Sequence, residues 1–390
     1  MRTIAVVTGS RADYGIYLPL LRRLNSEPAV KLHLLVTGMH LSARFGMTVE
    51  AIEADGFPIA ERIHVLSDSD RPEDIATAMG RATMGFGEAF ARSRSDILVV
   101  LGDRFEMHGA AVAALPFKIP VAHIHGGELT EGAIDDSLRH CLTKLSHLHF
   151  VSTAEHARRV VQLGEELWRV TVCGALGLDN VRQIPRLSSI ELQQKFGIRM
   201  TPDLMLVTFH PTTLEFEQAG QQTDELLAAV CAAGLPVLFT MPNADTGGLA
   251  IRKRIEAFVR KWPAAQAVET LGTQAYLSVM ALCSIVIGNS SSALIEAPCF
   301  NLPAVNIGNR QNGRTRGKNV IDVGYGREEI LGAIRRARET QFRESIVGAP
   351  NPYGDGHAAE RIASVLLTTE CDGRLIVKRF ADAILAGGTK

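Results

Sequence analysis

The chain alternates short apolar runs with longer segments whose apolar residues recur every three or four positions. The run ILVVL at Ile97–Leu101, for example, precedes a helical segment at Phe105–Leu115 and then a second apolar run at Val121–Ile124. This alternation predicts βαβ units and a parallel sheet. In the first half we predict strands at Ile4–Thr8, Leu32–Thr37, Ile97–Leu101, Val121–Ile124, His149–Val151 and Val170–Cys173. Between them we predict helices at Tyr17–Leu24, Met47–Ala54, Ile75–Arg92, Phe105–Leu115, Asp136–Ser146 and Ala154–Leu163.

A polar stretch with two prolines, residues 180–202, interrupts the alternation, which then restarts at Met205–Phe209. The 390 residues exceed what one hydrophobic core normally supports. We therefore predict two doubly wound α/β domains, residues 1–180 and 181–365. Residues 366–390 are predicted as a C-terminal helix, and analogy with folds of this kind implies that it returns to the first domain. Two Rossmann-like parallel-sheet domains facing a cleft are the arrangement of the glycosyltransferase-B type.

Composition limits the classes of partner. Lys and Arg number 41 against 42 for Asp and Glu, so net charge gives no electrostatic reason to expect nucleic acid or an anionic membrane. No apolar run approaches the roughly 18 residues that span a bilayer, and the first residues enter a strand pattern without a leader sequence. The six cysteines form no CxxC pair. These features favour a cytoplasmic protein with reduced thiols.

Charged and histidine side chains collect after two neighbouring strands and at the start of the next helix. Parallel strands present their carboxyl ends at one edge of a sheet, where ligands bind. We therefore predict a catalytic wall from Asp103, Arg104, His123, His125, Glu128, Asp135 and Asp136. Asp135 is predicted as the N-cap of its helix, and a capped surface helix is the alternative reading.

The HIH tripeptide also allows a metal site. His123 and His125 would share one face of a strand, with Asp103, Glu128 or His147 as further ligands. Because alternation alone explains the spacing and no HExxH motif or cysteine cluster accompanies it, we expect no metal.

Two strand-to-helix turns are candidate phosphate sites. In TGSRADYG, residues 8–15, backbone N–H groups and Arg11 could contact a phosphate, although a simple turn with an exposed arginine is the alternative. In IGNSSSALIEAP, residues 287–298, serine hydroxyls could hold a diphosphate and Glu296 a ribose, unless the serines only cap a helix. His210, at the end of a strand, suits proton transfer or phosphate contact. The basic loop around Arg310 could clamp a phosphate or be a solvated surface.

Eight motifs occur along nearly the whole chain: SRADYG, VTGMHLS, GDRFEM, HIHGGE, IDDSLRHCLTKLSH, FHP, GNSSSALIE and NIGNRQNGR. Jointly they resemble the UDP-N-acetylglucosamine 2-epimerase superfamily, and within it the hydrolysing branch that makes mannosamine precursors of sialic and legionaminic acid.

The resemblance implies site residues, and neither a metal nor a nicotinamide cofactor. The UDP would be held mainly by the second domain, and UDP elimination to a glycal followed by hydration would release the free sugar. Catalytic carboxylates would be Asp103 and Asp135. Contacts to UDP or the sugar would come from Arg11, Arg104, His210, Tyr276, Asn289, Ser290, Ser291, Glu296 and Arg310.

One departure from the resemblance affects the chemistry. Several relatives have HIEGGE, with a catalytic glutamate where this chain has His125. Either His125 takes over acid/base work or Glu128 supplies the carboxylate. The substrate also stays open between UDP-N-acetylglucosamine, which we favour slightly, and UDP-N,N'-diacetylbacillosamine. The resemblance implies a homodimer or homotetramer.

Three other functions compete with this hypothesis. A non-hydrolysing epimerase would return the UDP-linked product. A glycosyltransferase of the same fold would need an acceptor. A nucleotide-sugar sensor would bind the UDP-sugar without turning it over.

Overall fold

The computed structural model describes residues 1–67, 72–131, 134–212, 215–242, 247–269 and 271–382. The chain divides into two compact units. The first comprises Met1–Glu128, Ile134–Asn180 and Gly354–Lys390, and the second comprises Leu129–Ala133 and Val181–Tyr353. The chain rejoins the first unit at Gly354, whereas analogy with the fold predicted this boundary at residue 366.

The strands of the described residues form one parallel sheet in each unit. In the first unit they are β1 (Arg2–Thr8), β2 (Val30–Thr37), β3 (Ile59–Ile63), β4 (Ile97–Leu101), β5 (Val121–Ile124), β6 (Leu148–Val151) and β7 (Val170–Val172). In the second unit they are β8 (Met205–Thr208), β9 (Val237–Thr240), β10 (Ala265–Val268), β11 (Ile285–Gly288), β12 (Ala304–Ile307) and β13 (Val320–Val323). The strand orders are β3-β2-β1-β4-β5-β6-β7 and β10-β9-β8-β11-β12-β13.

Helices connect successive strands. The first seven are α1 (Arg11–Asn25), α2 (Val49–Ala54), α3 (Pro72–Arg92), α4 (Phe105–Ala114), α5 (Ile134–Leu145), α6 (Ala154–Gln162) and α7 (Gly177–Gln183). The next seven are α8 (Ser189–Phe196), α9 (Ala219–Ala233), α10 (Gly248–Lys261), α11 (Gly272–Leu282), α12 (Ser292–Ile295), α13 (Arg327–Arg338) and α14 (Thr340–Ile346). The last two are α15 (Ala358–Thr368) and α16 (Gly373–Ile376). Short 3₁₀ turns lie at Gly38–Leu41, Ala43–Phe45, Leu167–Arg169, Phe216–Gln218 and Ala297–Phe300. None of the helices in the described ranges has the length and hydropathy to cross a bilayer.

Burial explains why the apolar runs become strands. All five residues of β4 are buried, as expected of a parallel strand covered on both faces. Leu98 and Val100 pack with residues of α3 and α4 on one face. Ile97 and Val99 pack with residues of α1 and α15 on the other. The β4–β5 register, Leu98 opposite Val121, brings the residues that follow both strands to the same sheet edge.

The doubly wound parallel sheets predicted from the sequence are confirmed, with local differences. Strand β3 was not predicted, because its charged residues and its position at the edge of the sheet weaken the apolar pattern. The stretch expected to be a linker contains the end of α7 and all of α8, and Ser188 caps α8 through a capping box with Glu191.

The predicted C-terminal helix is wrong for the described residues beyond Ile376. Helix α16 ends there, and residues 377–382 are not helical. We call residues 373–382 the C-terminal strap. The buried Arg169 guanidinium donates to the carbonyl oxygens of Arg374, Leu375 and Val377 at 2.8 to 3.1 Å. These carbonyls would otherwise continue the helix. Residues 383–390 lie outside the described part of the chain.

A buried carboxylate fixes the end of the strap. Glu165 accepts hydrogen bonds from Lys378 at 2.9 Å, from Lys144 on α5, and from His149 on β6 at 3.0 Å. Burial alone would raise the pKa of Glu165, but these three donors lower it to about 2. The strap is therefore held by ionic contacts at its charged end as well as by Arg169.

His147, which lies near Lys378 of the strap and Arg169, should make the stability of the protein depend on pH. Burial lowers the pKa of His147 to about 4, with Lys378 and Arg169 adding to the shift. Its Nδ1 accepts the N–H of Val121 at 3.1 Å. The unfolded histidine has a pKa of about 6.5. The folded state therefore loses stability as pH falls below that value, until the folded pKa near 4 is reached.

We expect His147→Asn to reduce the slope of unfolding free energy against pH by about 1 kcal/mol per pH unit between roughly pH 6 and 4.5. Asparagine can still accept the Val121 N–H. Urea unfolding over a pH series measures the slope, and His64→Asn at an exposed position is the control. Parallel slopes for the wild type and the His147 variant would refute this expectation.

Candidate active site

In the first unit, a buried arginine joins the carboxylates that follow two neighbouring strands. Arg139 on α5 is 3% exposed, and its Nη2 donates to Asp103. Its Nη1 donates to the His125 carbonyl at 3.1 Å and lies 3.5 Å from Glu128 Oε2. The structure thus brings three of the predicted residues together around Arg139. The side chain of Asp103 is 21% exposed and that of Glu128 is 3% exposed.

Glu128 is engaged on both oxygens. Its Oε1 accepts from His125 Nδ1 at 2.7 Å and from Ser152 Oγ at 2.6 Å, while Oε2 lies beside Arg139. His125 Nε2 in turn accepts the Leu176 N–H at 3.4 Å. This pattern places the proton on Nδ1 and occupies both ring nitrogens. The geometry therefore suits His125 and Glu128 to positioning more than to proton transfer.

The two histidines of HIH have different surroundings. Strand β5 ends at Ile124, and His125 has a left-handed backbone with φ of 65°. The expected shared face is not formed, because this conformation interrupts the alternation of side chains. His123 Nε2 donates to the Gly102 carbonyl at 2.7 Å and so fixes the peptide before Asp103. Burial lowers the pKa of His123 to about 3, which keeps the ring neutral. In the described ranges, no group of three His, Cys, Asp or Glu side chains has metal-binding geometry.

Asp135 and Asp136 lie in the first turn of α5, which begins at Ile134, so Asp135 is inside the helix rather than at its N-cap. Asp136 Oδ2 lies 3.5 Å from His140 Nε2. Asp135 is near enough to Arg104 to contribute to the raised pKa of that guanidinium, after the larger effects of Glu106 and Asp13.

The TGSRADYG turn does not offer its first N–H groups to a ligand. Asp13 accepts the N–H groups of Gly9 and Ser10 at 2.9 and 2.8 Å, and Ser10 caps α1 through a capping box. Asp13 therefore occupies these two N–H groups, which favours the alternative of a simple turn at this position. Arg11 is exposed at the start of α1.

In the second unit, Asn289 organises the ends of two neighbouring strands. Its Oδ1 accepts the His210 N–H at 2.7 Å and its Nδ2 donates to the His210 carbonyl at 2.8 Å. The Asn289 carbonyl accepts from Arg310 Nη1 at 3.1 Å and from Gln311 Nε2 at 2.8 Å. Gly288 precedes it with φ of 131°, and a Cβ there would lie 2.0 Å from the Thr208 carbonyl oxygen. Only glycine permits this approach.

The serine-rich turn follows directly. Ser291 is the N-cap residue of α12, and Ser290 Oγ accepts the Ser292 N–H at 3.4 Å. Glu296 ends the helix and donates its N–H to the Ser292 carbonyl at 3.1 Å, which places the two one turn apart as the sequence predicts.

Tyr276 lies against the same strand ends. Its hydroxyl lies 3.3 Å from Thr208 Oγ1. Burial raises the pKa of Tyr276 to about 12, and the Glu296 charge adds to this effect. The second unit thus gathers all of its predicted residues: His210, Tyr276, Asn289, Ser290, Ser291, Glu296 and Arg310.

Several site contributors were not assigned roles from the sequence. Arg139 lies four residues after Asp135 in IDDSLRH, and Glu106 lies two residues after Arg104 in GDRFEM, so motif spacing could have identified both. Ser152 follows β6 with no local signal. Arg316 in the basic loop binds Asp322 and the carbonyls of Gln311 and Arg314, so it stabilises the loop itself.

Comparison with known proteins identifies the class and then the family. The crystal structure of UDP-GlcNAc 2-epimerase from Neisseria meningitidis bound to UDP-GlcNAc has a TM-score of 0.79 at 17% identity. The structural match covers 95% of this chain and 100% of the Neisseria chain. This likeness confirms the fold class predicted above, two Rossmann-like domains of the glycosyltransferase-B type. The family model for UDP-N-acetylglucosamine 2-epimerase matches residues 22–367. The chain therefore belongs to the UDP-N-acetylglucosamine 2-epimerase family.

Curated relatives extend over nearly the whole chain. The UDP-N,N'-diacetylbacillosamine 2-epimerase (hydrolyzing) of Legionella pneumophila is 36% identical, over 97% of this chain and 99% of the relative. The polysialic acid biosynthesis protein P7 of Escherichia coli is 37% identical, over 90% of each. Relatives described only as UDP-N-acetylglucosamine 2-epimerase include matches at 30% and 21% identity.

Proposed function

We propose that this protein is a hydrolysing 2-epimerase that converts a UDP-2-acetamido sugar into the free manno-configured sugar and UDP. The observation that carries the proposal is the Asp103 carboxylate, partly exposed at the end of β4 and held by the buried Arg139. A fixed, accessible carboxylate suits proton abstraction. Similarity to a relative described as hydrolysing supports this branch over the non-hydrolysing one.

The proposed reaction has two stages. A base removes the C2 proton, the C–H electron pair forms the C1=C2 double bond, and the C1–O bond breaks so that UDP leaves with its electron pair. Water then adds its oxygen to C1 of the glycal, while a proton returns to C2 from the opposite face. Because no carbonyl acidifies the C2 proton, stabilisation of the departing UDP must lower much of the barrier.

We assign Asp103 as the base and Asp135 as the second acid/base group. We assign His125 and Glu128 to positioning the residues around Asp103, since their polar atoms are engaged in the contacts described above. Arg11 and Arg104 are assigned to the diphosphate or the sugar.

The second unit is assigned to UDP. In this proposal Ser290 and Ser291 bind the phosphates, Glu296 the ribose, and Tyr276 lies near the uracil. Arg310 and His210 contact the junction of phosphate and sugar, and Asn289 holds both in place through its backbone and side-chain contacts.

The substrate class also belongs to this proposal. The Legionella relative is named for UDP-N,N'-diacetylbacillosamine, and the Escherichia relative for polysialic acid biosynthesis. These names support a place in nonulosonic acid synthesis, toward sialic or legionaminic acid. The greater coverage of the Legionella relative makes UDP-N,N'-diacetylbacillosamine the first substrate to test, beside UDP-N-acetylglucosamine. We further propose a cytoplasmic homodimer or homotetramer.

Turnover in deuterated water tests the mechanism. With UDP-sugar alone, we expect UDP and a free mannosamine-type sugar carrying deuterium at C2. A product without C2 deuterium would exclude the elimination route. A stable UDP-linked product would indicate the non-hydrolysing reaction, and turnover only with an added acceptor would indicate a glycosyltransferase. Binding without turnover would indicate a sensor.

A further inference from the structure

Arg104 is held by a carboxylate from its own motif. Its Nε donates to Glu106 Oε2 at 3.1 Å and its Nη2 donates to Glu106 Oε1 at 2.9 Å. The Glu106 side chain has no exposed surface, whereas 35% of the Arg104 side chain is exposed. Two parallel N–H···O contacts fix both the position and the plane of a guanidinium.

Glu106 is itself confined by two strand ends. A Cβ at Gly38, after β2, would lie 2.5 Å from Glu106 Oε1, and a Cβ at Gly9, after β1, would lie 3.4 Å from Glu106 Cδ. The two glycines leave space that the carboxylate fills. Glu106 therefore has a fixed position among β1, β2 and α4, and its two hydrogen bonds with Arg104 restrict the orientation of that guanidinium.

The charge balance favours the same arrangement. The Glu106 carboxylate, more than any other group, raises the pKa of Arg104 above its usual range. A buried carboxylate needs such a partner, because desolvation of an unpaired charge is costly. The bidentate contact uses Nε and Nη2. Among the described residues, Nη1 of Arg104 makes no hydrogen bond, so that nitrogen is available for a ligand.

We propose that Glu106 is a positioning residue that fixes the guanidinium of Arg104, so that Nη1 meets the diphosphate of the departing UDP. This inference rests on the proposed function. It assigns Glu106 no contact with the substrate. Its effect on catalysis passes through Arg104, which stabilises charge that develops on the leaving group.

A double-mutant cycle tests the inference. Glu106→Gln keeps the shape of the side chain but removes its charge and one of its two acceptors. We expect kcat to fall about 10- to 100-fold, as for a small misplacement of a catalytic group, while KM changes less than about 3-fold because UDP is held mainly by the second unit. In an Arg104→Gln background, the same substitution should cost less than about 2-fold further. If the factors by which the two single substitutions lower kcat multiply in the double variant, the inference would be overturned.

Two further variants separate positioning from folding. Glu106→Asp keeps the charge but moves the carboxylate away from Arg104. If Glu106→Gln does not fold, Glu106→Asp replaces it in the cycle. We then expect Glu106→Asp to lower kcat by the same factor, and to lower it less than about 2-fold further in the Arg104→Gln background. Glu61→Gln is the matched control, because Glu61 makes a bidentate pair with exposed Arg92 in the same unit, at 3.0 Å for both contacts. It should retain wild-type kcat. Thermal unfolding accompanies each measurement.

The cycle is also run on the dissociation constant of UDP, which needs no turnover. We expect Glu106→Gln to weaken UDP binding only when Arg104 is present, and by more than it raises KM, because free UDP carries the phosphate charge that develops as the C1–O bond breaks. Coupling in UDP binding without wild-type turnover would refute the proposed function and retain the role of Glu106. Turnover by the wild type without coupling in either measurement would refute the role of Glu106 alone.

Discussion

Replacing Asp103 with asparagine is expected to lower kcat about 10³-fold, within the range attributed to a positioned general acid or base. Asparagine keeps an oxygen that can accept the hydrogen bond from Arg139 Nη2, so the surrounding wall should persist. KM for the UDP-sugar and the thermal unfolding midpoint should stay close to wild-type values. The loss would then report on proton transfer rather than on folding or binding.

The matched control is Asp355→Asn. Asp355 is also in the first unit and forms a bidentate pair with Arg361 at 2.7 Å for both contacts, but the pair is exposed. Its activity should remain within about 2-fold of wild type, since exposed ion pairs contribute little to stability. Near-normal turnover by the Asp103 variant would remove that residue from its assigned role. An equal loss in the Asp355 variant would show that the assay reads general destabilisation.

Replacing Arg169 with methionine should reduce the free energy of unfolding by about 3–5 kcal/mol, the scale for removing one partner of a buried ionic network. Arg169 is 1% exposed and donates to Glu166 and to backbone carbonyls of His147 and the strap. Methionine fills part of the volume, but the carbonyls lose their donor. The C-terminal strap should therefore detach more readily than the rest of the unit unfolds.

Urea unfolding and limited proteolysis together measure this effect. Cleavage within residues 373–382 should accelerate in the Arg169 variant before other sites are cut, because the local opening free energy falls most there. Arg158→Met, at an exposed position of α6, serves as the control and should match the wild type in both assays. Unchanged proteolysis of the strap with unchanged stability would show that Arg169 does not hold it.

Local sequence was sufficient for the central strands. Runs such as ILVVL are apolar at every position because both faces of the sheet are covered, and this pattern is visible without any tertiary information. Strand β3 was missed because it lies at the edge of the sheet and is only partly buried, so its residues form no continuous apolar run. The capping box at Ser188 and Glu191 was readable from the sequence and would have corrected the linker prediction.

The C-terminal helix failed for a reason that no local pattern contains. Its periodicity was helical, but Arg169, some 200 residues earlier, takes the carbonyls that the helix needs. The candidate site likewise contains features that the sequence indicates and features that depend on the folded structure. Motif order located Asp103 and Glu128, whereas the engagement of Glu128 by Ser152 and of Gly9 by Asp13 depends on folded geometry. The spacing of HIH was misleading, because the left-handed backbone at His125 lies outside the strand.

The discontinuity of the first unit has a consequence for biosynthesis. Helix α15 and Leu375 complete a hydrophobic core that begins with β1 and α1. Roughly 170 residues of the second unit are translated between them, which takes about 9–35 s at ribosomal rates of 5–20 residues per second. A nascent chain that has not yet reached α15 would expose the apolar surface of α1 that α15 covers in the folded unit. We infer that the first unit completes its folding last, although its synthesis begins first.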